Sequence, residues 1–411
     1  MLLQAYPAPS KISSSIPRQC LQFALSSVRP ATSPRTPGRE NTQVRLPRSS
    51  GTHDLVAVSN ICVDVVLKVD QLPPLESINR RQLLAERTAA LADTPDRSAW
   101  EVGGSCNVAI AAARLGLSVA TCGNIPSDVY GHFLSDILQA EGIHENAAIA
   151  SPEDFPTLRE TLLVLTFVAP GGKHAFCSRY DLGPWPLLKG IGTLAEHAHQ
   201  IMAKARAVIF NGFVFDELPP HVVAAAAQQA QRAGAAIFFD PGPRAFSLQE
   251  GPRRAALDSI LDIANVVLMT EEEALAVTGK SDPSEAAKTL LTRQPGRIQW
   301  VVIKLGRMGS ELHMHSQAIF QPGFKVELKD SVGCGDSMAA AIAMGFIRQR
   351  CPSATLTLAN AVGGATAMGF GAGRSVACRH DVRQLLQQGV DQTEPDIPSA
   401  ADCQAALELI A

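Results

Sequence analysis

Asp330-Ser331-Val332-Gly333-Cys334-Gly335-Asp336 runs directly into Ser337-Met338-Ala339-Ala340-Ala341, and this is the segment whose residue types and spacing point most directly to chemistry. Two glycines around one small residue let backbone N–H groups approach an anion closely, and a helix beginning there turns its positive end to the same spot. Asp336 falls in the first turn of that helix. The dipole favours a carboxylate there, so Asp336 is placed to take a proton from a hydroxyl held beside a phosphate. A base beside an anion cradle is the equipment for phosphoryl transfer to an alcohol. The same residues also read as a plain capped helix, since Asp before an apolar run is a good N-cap. Cys334, among backbone dipoles at a helix start, is expected to carry a lowered thiol pKa, or to be simply a small residue that fits.

The elements that must position this segment alternate. From Thr52 onward, short apolar runs of strand length are followed by helical stretches, many Ala-rich. Strands are expected at 55–58, 61–69, 119–123, 207–210, 236–240, 266–269 and 300–304, which predicts an α/β fold, a doubly wound parallel sheet with flanking helices. Residues 76–100 read as an insertion, helix-like near 80–91. Two apolar-aromatic runs, 161–168 and 174–179, flank Ala169-Pro170-Gly171-Gly172-Lys173, which is hairpin punctuation and predicts a small β lid.

Residues 1–50 differ from the rest: seven basic residues against one acid, Glu40, with twelve Ser or Thr and seven Pro. That composition predicts an organellar transit peptide, plastid first and mitochondrial as the alternative. Beyond residue 50 the chain holds 29 basic and 38 acidic residues. Such a balance argues against direct nucleic-acid binding, and no leader run approaches the roughly 20 apolar residues of a membrane span. The expected organisation is a leader over 1–50, one domain over 51–400 with lid segments near 61–75 and 158–181, and a tail over 401–411. Nine cysteines show no C-x-x-C pair, and the pairs His197/His199 and His313/His315 are expected on surfaces or loops rather than on a metal.

Over roughly residues 54–390 the chain resembles the ribokinase-like, or PfkB, family of sugar and nucleoside kinases. Asp330–Asp336 is similar to its signature D-T-x-G-A-G-D, with Ser331 for Thr and Cys334 for Ala. Gly103-Gly104-Ser105-Cys106-Asn107-Val108-Ala109 through Gly116, then Gly123, Asp128 and Gly131, is similar to its N-terminal signature. The resemblance implies that Asp336 is the catalytic base, with the backbone of Gly333, Cys334 and Gly335 as anion hole. It implies a sugar pocket at Asp64, Asn60, Gly103, Gly104 and Asn107, extended by Asp240 and Arg244, where Asp240-Pro241-Gly242-Pro243-Arg244 resembles D-P-N-x-R with Gly242 for Asn. Lys304, Gly306, Gly309 and Asn360 fall where the family binds nucleotide, with Lys304 for Thr. Glu273, in Thr270-Glu271-Glu272-Glu273, falls where the family organises Mg²⁺ through water, and Asp330 and Val332 where some members hold a monovalent cation.

The implied activity is ATP-dependent phosphorylation of a sugar or sugar-like hydroxyl, with ATP and Mg²⁺ and, in some members, K⁺. Alternatives of the same resemblance are a nucleoside kinase and a non-catalytic plastid fructokinase-like interaction protein. Implied partners are a small-molecule sugar and ATP, and a homodimer through the lid.

Overall fold

The computed structural model describes residues 52–411 apart from Ser59, 74–76, 94–96, Gly171, Gly172, Gly371 and 393–395. They belong to one of the two units into which the chain divides, Gln43–Ala411; the expected leader, residues 1–50, lies outside the described residues.

The strands in chain order are β1 (His53–Val58), β2 (Ile61–Lys68), β3 (Trp100–Gly104), β4 (Val119–Cys122), β5 (Glu145–Ala147), β6 (Leu162–Ala169) and β7 (Lys173–Ser178). They continue with β8 (Ala205–Asn211), β9 (Ala236–Asp240), β10 (Val266–Thr270), β11 (Trp300–Lys304), β12 (Gly309–His313) and β13 (Ala318–Pro322). Nine form one sheet in the order β13-β12-β11-β10-β9-β8-β1-β4-β5. From β5 to β11 every pairing is parallel, while β12 and β13 add an antiparallel edge that the alternation alone does not predict.

Period-2 alternation divides each parallel strand between two cores. Leu55, Ala57, Ile209, Phe238, Leu268 and Val302 face one layer, while Val56, Val58, Phe210, Phe239, Val267 and Val301 face the other. Each large side chain buried this way contributes about 1.5–3 kcal/mol. Small residues set the helix spacing: a Cβ on Gly345 would lie 2.2 Å from the Thr355 side chain, so helices Cys334–Ile347 and Pro352–Ala367 cross in close contact only because glycine is there.

The remaining four strands form a second sheet, β3-β2-β6-β7. β6 and β7 are the expected hairpin. β2 lies parallel to β6 and antiparallel to β3, so Gly103 and Gly104 end a lid strand before the helix Ser105–Arg114 begins. The insertion contains the helix Ser77–Asp93.

Two expectations need correction. Residues 401–411 are not a tail: Ala400–Leu409 is a helix capped by the Ser399 side chain, with Cys403, Ala406, Leu407 and Ile410 buried. His199 and His313 are not on the surface. Both are buried, hydrogen-bonded to Thr193 at 3.0 Å and Glu311 at 2.7 Å, and among the described residues no cluster of metal-ligating side chains occurs.

Candidate active site

The carboxyl ends of β9, β10 and β11 deliver Asp240, Thr270 and Lys304 to one edge of the sheet, and the helix Cys334–Ile347 starts beside them. Gly333 caps that helix at φ 80°, a left-handed conformation that favours glycine. Asp336 lies in the first turn, as expected, and its Oδ2 accepts from Asn107 Nδ2 at 3.2 Å. Burial, then the Asp240 charge, pushes the Asp336 carboxyl up to about 6, against the pull of Asn107 and Lys304. A base of that pKa is ionised at neutral pH yet basic enough to accept a proton.

Of the three residues expected to supply anion-hole amides, Cys334 uses its own in a turn to the Ser331 carbonyl at 3.3 Å. Gly335 leaves space instead: a Cβ there would sit 3.4 Å from Lys304 Nζ. The ammonium therefore lies at the helix start and not in solvent. It donates to Asp240 Oδ2 at 2.7 Å and stands 3.9 Å from Glu273 Oε2. Burial pulls the Lys304 pKa down, but Asp240 and Glu273 outweigh it and hold the group above its ordinary value. Glu273 accepts from the Thr270 amide at 2.7 Å while Thr270 Oγ1 accepts from the Glu273 amide, a capping box that uses one carboxylate oxygen. The Cys334 thiol contradicts its expectation. Burial and the charges of Asp330 and Asp336 push it up to about 12, because carboxylates flank it along with the helix dipole.

Asp64 stands on the lid strand β2 in register with Glu101, with Gly103, the partner of Cys62, diagonal to it. A Cβ on Gly103 would lie 2.3 Å from Asp64 Oδ1, so the carboxylate rests across a bare Cα. Burial pushes Asp64 up to about 7; the Cys62 thiol, donating at 3.6 Å, pulls it down, and Glu101 and Asp336 push it up. Gly104, at φ 62°, has the Asn60 carbonyl 2.2 Å from its Cβ position, and Asn60 Oδ1 accepts from Asn211 Nδ2 at 3.3 Å. Arg244 reaches Asp216 at 2.5 Å and Asp181 at 3.1 Å, tying the end of the lid hairpin to the main sheet, and stacks 4.5 Å above Phe213. Asp240 uses both oxygens, one for the Gly242 amide at 3.0 Å and one for Lys304.

On the expected nucleotide side, Gly306 adopts φ 57° with open space at its Cβ position. Gly309 meets the Gln321 carbonyl 2.1 Å from its Cβ position, so it serves the β12–β13 pairing. Asn360 accepts from Ser310 at 2.7 Å and donates to the Gln321 and Pro322 carbonyls at 2.9 and 3.0 Å, so its amide is a buried staple of the same hairpin. That corrects its expected place as a nucleotide contact. Asp330 Oδ1 accepts the Val332 amide at 3.0 Å, and Gly333 packs against Ala372, bringing 372–375 beside the signature loop.

Three features escaped the sequence reading. Asn107 Oδ1 accepts from the Gly373 amide at 2.9 Å, so one side chain joins that loop to Asp336. Glu101 on β3 accepts the Arg374 amide at 3.0 Å and its Nε at 3.1 Å, clasping lid to loop. Asp216 and Glu217, which follow β8 at its carboxyl end, are buried, and burial pushes Glu217 up to about 7. An acidic pair just past an apolar strand was the available signal. Elsewhere, a polar groove of ≈ 780 Å³ lined by Gln228, Arg232, Asp262 and Arg297 shares no residue with this site.

The model of the pfkB family carbohydrate kinases matches residues 76–377. The chain belongs to the pfkB family of carbohydrate kinases. It is 26% identical over 309 residues to probable fructokinase-4 of Arabidopsis thaliana, a match that covers 72% of this chain and 91% of that protein. Among solved structures, Arabidopsis thaliana ribokinase complexed with ribose and ATP superposes with a TM-score of 0.59 at 18% identity, covering 81% of this chain and 98% of that one. A putative ribokinase II from E. coli in complex with ATP and Mg²⁺ gives 0.63 at 18% identity, over 82% and 99%. This pfkB protein thus has the ribokinase-like fold, and it is an ATP-dependent kinase of a sugar or nucleoside hydroxyl.

Proposed function

We propose that this pfkB kinase phosphorylates a sugar hydroxyl, a ketose such as fructose being favoured by its likeness to the fructokinase, with Asp336 as the base. The observation that carries the reading is Asp336 itself: an ionisable carboxylate in the first turn of a glycine-capped helix, oriented by Asn107 and electrostatically within reach of Asp64 on the lid. Asp336 takes the proton of the acceptor hydroxyl, and the amides at Gly333 and Gly335 steady the transferring phosphoryl group, the Cys334 amide being held by the Ser331 carbonyl. Asp64 binds the remaining hydroxyls, since one carboxylate accepts two donors at once, and Asn60, Gly103, Gly104, Asn107 and Arg244 complete the sugar pocket. The four-stranded sheet acts as the lid, excluding water from the reacting group. Gly306 and Gly309 border the nucleotide.

Mg²⁺ would be organised near Glu273 through water, and would supply positive charge to offset that of the ATP phosphates. With one Glu273 oxygen used in capping and no three-ligand cluster among the described residues, the donor set fits an ion held mainly by phosphate and water. A K⁺ site would use Asp330 and Val332 with the adjacent 372–375 loop. Residues 1–50 direct the protein to a plastid, and among the described residues no helix is long and apolar enough to cross a membrane. Two copies pair through the lid, where β7 is an edge strand exposing Phe176.

The test is ATP consumption by the purified chain against a panel of sugars and nucleosides, with and without Mg²⁺ and K⁺. Turnover with a ketose supports the reading. ATP binding without turnover on any acceptor would favour the interaction-protein alternative. N-terminal sequencing of organelle-purified protein checks the leader.

A further inference from the structure

We propose that Lys304 is a catalytic residue whose ammonium contacts the transferring phosphoryl group, and that Asp240 is its positioning residue and not a sugar ligand. The proposal rests on the kinase reading above.

Lys304 ends β11, and its side chain is only 11% exposed. Its Nζ stands 3.4 Å from the Cβ position of Gly335, in the cradle where the phosphoryl group would sit. Asp240 holds the ammonium beside the positive end of the helix, so two positive groups face the cradle together, an arrangement that suits a site receiving an anion. Asp240 takes one of the three ammonium protons, at 2.7 Å, and Glu273 at 3.9 Å is too distant for a hydrogen bond, which leaves donors for a phosphoryl oxygen.

Asp240 is fully engaged. Its Oδ1 accepts the Gly242 amide and its Oδ2 the Lys304 ammonium, so the carboxylate is fixed by the turn after β9 and in turn fixes the lysine. Lys304 makes and breaks no bond. As the acceptor oxygen bonds to phosphorus, its proton passes to Asp336, the bridging P–O bond to ADP breaks, and the ammonium offsets charge on the phosphoryl oxygens.

The experiment compares wild type, Lys304→Met, Lys304→Arg and Asp240→Asn by calorimetric binding of ADP and of a non-hydrolysable ATP analogue, and by steady-state kinetics on the acceptor that the panel identifies. Lys304→Met should weaken the analogue about tenfold or more while ADP binding moves little, because only the terminal phosphoryl group loses a charge-assisted bond. Turnover should fall by roughly 10²–10³-fold, with partial recovery in Lys304→Arg. Asp240→Asn should lower kcat and leave the acceptor KM unchanged. Equal weakening of analogue and ADP, or wild-type kcat in Lys304→Met, overturns the role of Lys304. A raised acceptor KM at unchanged kcat in Asp240→Asn overturns the role of Asp240. Should Lys304→Met misfold, the double variant Lys304→Met with Asp240→Asn removes the buried pair together and is read by the same analogue-to-ADP ratio. Wild type that binds both nucleotides and turns over no acceptor refutes the kinase reading, while the analogue-to-ADP ratio still decides the contact.

Discussion

Asp336 depends on its neighbours for its usefulness. Replacing it with Asn keeps the shape and removes the proton acceptor, so turnover should fall about a hundredfold or more with ATP-analogue binding retained. Its carboxyl sits at about 6, raised chiefly by burial, so the proposed base is competent above that pH and lost as pH falls through it. The acid limb of the kcat/KM profile should therefore lie near pH 6. Asn107 donates to the ionised form, which lowers the pKa. Asn107→Ala should accordingly move that limb to higher pH and also lower kcat. An unmoved limb would leave Asn107 with sugar binding only.

At the scale of elements, the proposed sugar end lies on the strand pair β2–β3. Gly103 lies diagonal to Asp64 on the ladder with its Cβ position 2.3 Å from the carboxylate, so Gly103→Ala must displace Asp64. Acceptor affinity should drop as far as in Asp64→Ala, about tenfold or more for a lost charge-assisted bond, while ATP-analogue binding holds. Calorimetry with both ligands checks it, and unchanged acceptor affinity in either variant would move the sugar pocket elsewhere. β3 also carries Glu101, whose contacts with Arg374 tie lid position to the loop beside Gly333.

For the whole molecule, the helix Ala400–Leu409 is part of the folding unit. Cys403, Leu407 and Ile410 are buried, and the Ile410 carbonyl accepts from Arg379 at 2.6 Å and Arg383 at 3.0 Å. Deleting 400–411 removes two large buried side chains at about 1.5–3 kcal/mol each and should lower Tm by roughly 6 °C or more, measured by thermal unfolding. Stability should also depend on pH through buried carboxyls. Glu217 and Asp64 are raised to about 7, above the unfolded value of about 4, so the folded state holds protons that the unfolded state releases. Stability is thus present at low pH within that window and falls as pH rises toward 7. Glu217→Gln should shrink the difference in urea midpoint between about pH 5 and about pH 8, and an unchanged difference would show that Glu217 does not titrate as a buried acid.

By itself the sequence determined what depends on local periodicity and local turns. Short apolar runs of strand length gave the parallel strands, Gly333 and Gly335 around Cys334 predicted the helix start that carries Asp336, and Ala169 to Lys173 marked the lid hairpin. In sequence the helix Ala400–Leu409 reads as a tail, although Ser399 and the spacing of Cys403, Ala406, Leu407 and Ile410 were the available signal. Only the tertiary structure decided which partner each polar group takes, because those partners lie far apart in the chain and compete. Asn360 went to the β12–β13 hairpin and not toward the nucleotide, Asn107 to Asp336, 229 positions away, and Lys304 to Asp240, 64 positions away. The Cys334 thiol was decided in the same way, since burial beside Asp330 and Asp336 outweighs the local helix dipole that the sequence displays.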